Sequence, residues 1–198
     1  MMSTYVPLLR RRREGVTDYR SRKRAITSKA TLLVVRISNK NVASQFVNPK
    51  VGGDVVVSSA HSRQLRKYGW KGSLKSTPAC YLLGMLAGRK ATEKGVKQAV
   101  LYNGIEPFIR GARISAFVKG IRDSGVEVPV GDEAFPSAER ISGKEIADYA
   151  AKLASEDKGL HDGVFSALLK ADFKPEAYPS HFEEVKASIA RGAGERAS

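Results

Sequence analysis

The run Thr31-Leu-Leu-Val-Val-Arg-Ile-Ser38 most restricts how this chain can fold. It is β-branched and apolar on both alternating faces, so as a strand it demands cover on both sides. Its neighbours supply the rest of a sheet. Asn39-Lys40 is a tight-turn dipeptide and Asn41–Val47 continues as a strand, so 31–47 reads as a hairpin. Gly52-Gly53 closes the next turn and Asp54–Ala60 forms a third strand. Residues 62–68 suit one or two helical turns. Thr77-Pro78 opens a helix, with Thr77 as N-cap and Pro78 at the first helical position, and Gly95 ends it. Gly84 and Gly88, four apart within it, predict close packing against the sheet.

Gln98–Tyr102 reads as a fourth strand, and 112–123 as a helix with Ile114, Phe117, Val118 and Ile121 on one face. Val126–Val130 is a short strand that Pro129 assigns to an edge. The order β-β-β-α-β-α predicts an α/β fold, a mixed β-sheet flanked by helices. Beyond it, Ser142…Glu145 and Ser180…Glu183 are capping boxes that open two helices, with an irregular stretch between them and a fraying tail. Three parts follow: a basic arm (1–15), an α/β core (16–130) and a mostly helical C-terminal extension (131–198).

Charge is distributed as unevenly as structure. The 198 residues carry a net charge of +14. Residues 1–75 hold 17 Lys and Arg against Glu14, Asp18 and Asp54, whereas the remaining residues balance. Confinement of the excess to one segment is the electrostatic footprint of a polyanion partner rather than a solubility device. No stretch approaches ~18 apolar residues, so a membrane span is not expected. The amino-terminal residues lack an apolar run after their basic cluster, so a secretory signal is not expected either. Cys80, the one cysteine, rules out an internal disulfide and fits a reducing compartment.

Candidate RNA-binding residues fall in three groups and one pair. Arg10, Arg11, Arg12 and Arg13 end an arm that should stay disordered until a partner neutralises it. Thr17 is a candidate N-cap for a helix carrying Tyr19, Arg20, Arg22, Lys23 and Arg24, in which only Tyr19 and Ile26 could dock; a helix this polar needs an outside surface. The third group is His61, Ser62 and Arg63, then Lys67, Tyr68, Trp70, Lys71 and Lys75. Basic residues interleaved with aromatics between glycines suit stacking on unpaired bases; alternatively, Trp70 caps the core. Arg36 and Lys40 frame the hairpin, Arg36 needing either Asp54 or a bound phosphate as partner.

Catalytic patterns are scarce. His61 and Ser62 are adjacent without an orienting acid, and neither G-x-S-x-G nor a P-loop occurs. The strand order suits a two-metal nuclease, but the first two strands carry no carboxylate and Asp54 stands alone. His161 and His181 read as surface or helix-end residues. Cys80 packs as a small apolar residue unless a helix start lowers its pKa.

RRRREGVTDYRSRKRAI, TLLVVRISNKNVASQFV and SSAHSRQLRKYGWKGSLKSTPACYLLGMLAGRKA together resemble the universal large-subunit ribosomal protein eighteen family, archaeal and eukaryotic type. ERISGKEIADYA and PSHFEEVK extend the resemblance into the extension, which shorter bacterial members lack. The chain's length resembles archaeal members. The resemblance implies a cytoplasmic, ribosomal, non-catalytic protein without cofactor, metal, membrane or small-molecule substrate. It implies binding of 5S rRNA by the arm and basic helix, contact with large-subunit rRNA, and a place in the central protuberance beside the other 5S-binding protein. Competing readings are an RNA-processing enzyme or a DNA-binding regulator that docks through the basic segment.

Overall fold

The computed structural model describes residues 7–192. A single basic turn, α1 (Arg10–Arg13), leads to α2 (Tyr19–Ser28). The hairpin follows as β1 (Leu32–Ile37) and β2 (Val42–Asn48), then β3 (Val55–His61). After a 3-10 segment, Ser62–Tyr68, come α3 (Thr77–Glu93), β4 (Val100–Tyr102) and α4 (Arg113–Asp123). The sheet order is β3-β2-β1-β4, with β1 antiparallel to β2, β2 antiparallel to β3, and β1 parallel to β4. The α/β reading holds. The strand anticipated over 126–130 is only an isolated bridge, Gln98 to Glu127.

Both faces of β1 are covered, as its composition demands. Leu33 and Val35 join Phe46, Leu82, Leu86 and Phe117 in the main core beneath the sheet. Leu32 faces the other way and packs with Val47 and Ala25 of α2, flanked by Val34 and Tyr102. The outer cover is therefore the basic helix itself. Its grip is one small buried side chain plus an ion pair: Arg22 donates through both terminal guanidinium nitrogens to the Asp54 carboxylate, one bond at 2.9 Å. Tyr19 and Ile26 are only half-buried. Asp18, rather than Thr17, is the N-cap, accepting from the Arg20 and Ser21 N–H groups at 2.9 and 3.2 Å. Arm residues 1–6 lie outside the described residues; 10–13 form a helical turn rather than irregular chain.

The N-cap of α3 is Ser76, one residue before the expected Thr77. Gly84 and Gly88 face α4, not the sheet. A Cβ on Gly84 would lie 2.1 Å from the Phe117 carbonyl oxygen, and one on Gly120 would lie 2.2 Å from that of Tyr81. The missing side chains let the two backbones approach, and Tyr81 Oη donates across the seam to Asp123 at 2.7 Å.

The extension continues as α5 (Ala138–Ser142), α6 (Lys144–Glu156), α7 (Lys158–Val164), α8 (Ser166–Leu169) and α9 (Tyr178–Arg191). Neither expected capping box forms. The Ser142 hydroxyl donates to the Glu139 carbonyl, and Ser180 donates to that of Ala177, inside a helix that has already begun. The stretch expected to be irregular is largely helical. Phe182, Val185 and Ile189 of α9 enter the main core, and Arg89 of α3 donates to the Ile189 carbonyl at 2.6 Å, holding the last turn of α9. Residues 193–198 of the expected fraying tail lie outside the described residues.

Candidate nucleic-acid interface

The basic residues gather in two concavities. On the outer face of the sheet, Arg11 Nε donates to Thr17 Oγ1 at 2.8 Å, curling the arm back toward α2. Arg11, Tyr19, Arg22 and Arg36 then line a crevice of about 360 Å³. Past Thr17 and Tyr19, which line both, the crevice continues into a hollow of about 420 Å³ lined by Arg12 and Arg20, and the two together make the first concavity. Arg10, Arg13, Lys23 and Arg24 are exposed beside them. Arg36 does not pair with Asp54, which Arg22 has taken; it donates to the Asn103 carbonyl at 3.0 Å.

All three acids of the basic segment have internal tasks. Glu14 accepts from Arg10 at 2.8 Å, Asp18 caps α2, and Asp54 holds Arg22. The guanidinium hydrogen bonds keep the Asp54 carboxyl below its usual range, against the opposing effect of partial burial. With 17 Lys and Arg and no further carboxylate in this segment, the local field stays strongly positive.

A second concavity, a groove of about 690 Å³, lies between the hairpin turn, the 3-10 segment, the loop after it and α8. Lys40, Arg63, Arg66, Lys71 and Lys75 line it, with Leu74, Val164 and Leu168 as apolar wall. Arg66 is absent from the residues singled out by sequence. Its signal was available: in a 3-10 segment residues i and i+3 eclipse, so Arg63 and Arg66 share a face. The two concavities have no lining residue in common.

Several expected contact residues turn inward. Ser62 is fully buried, its Oγ accepting the Val42 N–H at 3.0 Å. His61 is half-buried and caps the 3-10 segment, Nδ1 accepting the Arg63 N–H at 3.1 Å while its own N–H donates to Gln64. Tyr68 and Trp70 are 8% and 3% exposed. Trp70 caps the core, with Tyr178 and His181 packed against its indole. Lys67 remains exposed.

The histidines of the extension are not surface bystanders. His161 is buried against Phe165, with Nδ1 3.0 Å from Asp162 and Nε2 3.5 Å from Glu176. His181 stacks on Trp70. Burial pushes the Cys80 thiol up to about 12, which makes it a packing residue rather than a nucleophile. Among the described residues, no group of three or more His, Cys, Asp or Glu could hold a metal ion, and no helix is long and apolar enough to cross a membrane.

Comparison with known proteins agrees with the resemblance read from sequence. The family model described as ribosomal large subunit proteins 60S L5 and 50S L18 matches residues 3–104. Three proteins named large ribosomal subunit protein uL18 are similar over nearly the whole chain. That of Thermofilum pendens is 43% identical over 181 residues, covering 91% of this chain and 92% of the relative. That of Aeropyrum pernix is 44% identical, covering 91% and 85%. That of Metallosphaera sedula is 44% identical, covering 92% and 93%.

Proposed function

The chain belongs to the family of large-subunit ribosomal proteins that includes 60S L5 and 50S L18, and from that premise we infer how it serves the cytoplasmic ribosome. It is a structural constituent of the large subunit and not an enzyme. Its task is to bind 5S rRNA and to help anchor it to large-subunit rRNA in the central protuberance, beside neighbouring ribosomal proteins including the other 5S binder. The observation that carries this reading is the charge architecture. Two concavities collect Arg and Lys from elements far apart in sequence, while every acid of that segment is engaged internally.

Such a surface acts by neutralising phosphates, with Arg favoured for bidentate contacts. Arg11, Arg12, Arg20 and Arg36 serve the first concavity, with Arg10, Arg13, Lys23 and Arg24 on its rim. Lys40, Arg63, Arg66, Lys71 and Lys75 serve the second, with exposed Lys67 near it. Arg22 is tied to Asp54, so its part is to hold α2 in place. Ser62, Tyr68 and Trp70 contribute by shaping the loop rather than by touching RNA. A nuclease would need a carboxylate cluster to hold its metals, and Asp54, the acid at the start of β3, is committed to Arg22.

The test is a hydroxyl-radical footprint on transcribed archaeal 5S rRNA. Truncating at residue 24 would also bare Leu32 and Val47 under α2, so charge substitutions are the cleaner probe. Arg11, Arg12 and Arg20 to Ala should erase one set of protected nucleotides, and Arg63, Arg66 and Lys71 to Ala a different set. Protection no stronger than on an unrelated RNA of equal length would overturn the 5S reading.

A further inference from the structure

Helix α9 begins against the basic loop. Tyr178 Oη accepts the Ser73 N–H at 3.2 Å, and His181 Nε2 accepts the Lys71 N–H at 3.1 Å, across 105 and 110 residues of chain. The imidazole lies 5.2 Å from the Trp70 ring at 19° between planes, with Phe173 at 4.8 Å. Within the loop, Trp70 Nε1 donates to the Ser73 carbonyl at 3.2 Å. A Cβ on Gly72 would stand 2.6 Å from Tyr178 Oη and 2.7 Å from the indole, so loop and helix are closely fitted. Two consecutive odd-numbered backbone donors of an otherwise irregular loop thus end on side chains of the extension.

We propose that Tyr178 and His181 are positioning residues for the basic groove. They hold the 71–73 backbone so that Lys71 and Lys75 face Arg63 and Arg66, and the hold releases when His181 takes up a second proton. The consequence for RNA rests on the function inferred above; the latch itself does not. As an acceptor at Nε2, His181 must carry its single proton on Nδ1, which faces the Glu184 carboxylate at 3.7 Å. A proton on Nε2 would set one donor against another. The charged groups facing the ring are Glu184 on its own helix and Lys71 on the loop; Trp70, Phe173 and Tyr178 complete its surroundings without charge. Burial lowers the His181 pKa, and Glu184 opposes that only in part. The closed latch therefore disfavours protonation, is complete above about pH 6.5, and weakens as pH falls through and below that value.

Amide exchange on the free full-length chain tests this, with rates normalised for intrinsic pH dependence. Protection of the Lys71 amide should fall about 10-fold in His181→Phe, the effect of losing one hydrogen bond. In the unmodified chain it should fall toward the same value between pH 7.5 and 5. His181→Gln, whose amide oxygen can accept at either pH, should keep the protection and lose the pH response. In parallel, affinity for transcribed archaeal 5S rRNA at pH 7.5 should drop several-fold in His181→Phe but not in His181→Gln. Equal protection in His181→Phe and the unmodified chain, or no pH response in the unmodified chain, would overturn the latch. Lost protection with undiminished RNA affinity would overturn its positioning role. Failure of the unmodified chain to bind 5S rRNA would overturn the function instead, while the exchange data would still decide the latch.

Discussion

Helices α2 and α9 are attached to the same core by opposite means. Helix α2 buries Ala25 alone and relies on the Arg22–Asp54 pair, so most of its surface, including the basic side chains of Arg20, Lys23 and Arg24, is left at the outside. Helix α9 buries Tyr178, Phe182, Val185 and Ile189 and relies on burial of apolar area. Each fully buried side chain of that size contributes about 1.5–3 kcal/mol, whereas a partly exposed ion pair contributes about 1 kcal/mol or less. The chain thus holds its basic helix weakly and α9 firmly.

The contrast can be broken most forcefully at α9. Phe182→Ala should cost about 3–5 kcal/mol of global stability, read as a lowered midpoint in chemical denaturation; a loss below ~1 kcal/mol would mean that α9 is only draped on the core. Substituting Arg10, Arg11, Arg12 and Arg13 by Ala should leave that midpoint nearly unchanged, because α1 has no buried residue. It should instead weaken 5S rRNA binding by roughly 10²–10³-fold and make the slope of log K against log salt shallower by about 3, at ~0.7 per phosphate contact. An unaltered salt slope would remove the arm from the interface. The smallest effect belongs to Asp54→Asn: about 0.5–1 kcal/mol of stability, with amide protection lost selectively over residues 19–28. Because Arg22 holds the Asp54 carboxyl below its usual range, its contribution is complete above about pH 4 and is lost as pH falls through the lowered value. The acid limb of the stability profile should accordingly be shallower in the variant. Identical profiles would show that α2 is held without the pair.

What the sequence disclosed follows from the range of each interaction. Strand periodicity and turn dipeptides are local, so β1, β2 and β3 could be read to within a residue or two. The demand of Thr31–Ser38 for cover on both faces was legible too, but not which segment met it, because α2 offers only Ala25 as an apolar anchor. Gly84 and Gly88 announced a close approach without naming α4 as the neighbour. Ser142 and Ser180 carried the spacing of caps, yet Gly143 at φ 82° and an earlier helix start at Tyr178 overrode them. In the candidate interface, the concentration of charge was plain from residue counts. The inward turn of Trp70 was not, because its partners Tyr178 and His181 lie more than 100 residues away, and neither is marked by a local pattern.

Helix α3 is the element on which both halves of the chain converge. Eleven of its seventeen residues are buried, against the sheet, α4, α5 and α9 in turn. A helix enclosed in this way has no face on which mutations can accumulate unnoticed. Beyond its last turn, where Thr92 and Glu93 are exposed, nearly every replacement must be answered by a second one in a neighbour. At Gly84 and Gly88 even one added methyl group would have to displace backbone or a capping serine hydroxyl. The basic surface, by contrast, can gain or lose single cations without disturbing the core, so that its charge is free to be retuned while the interior stays as it is.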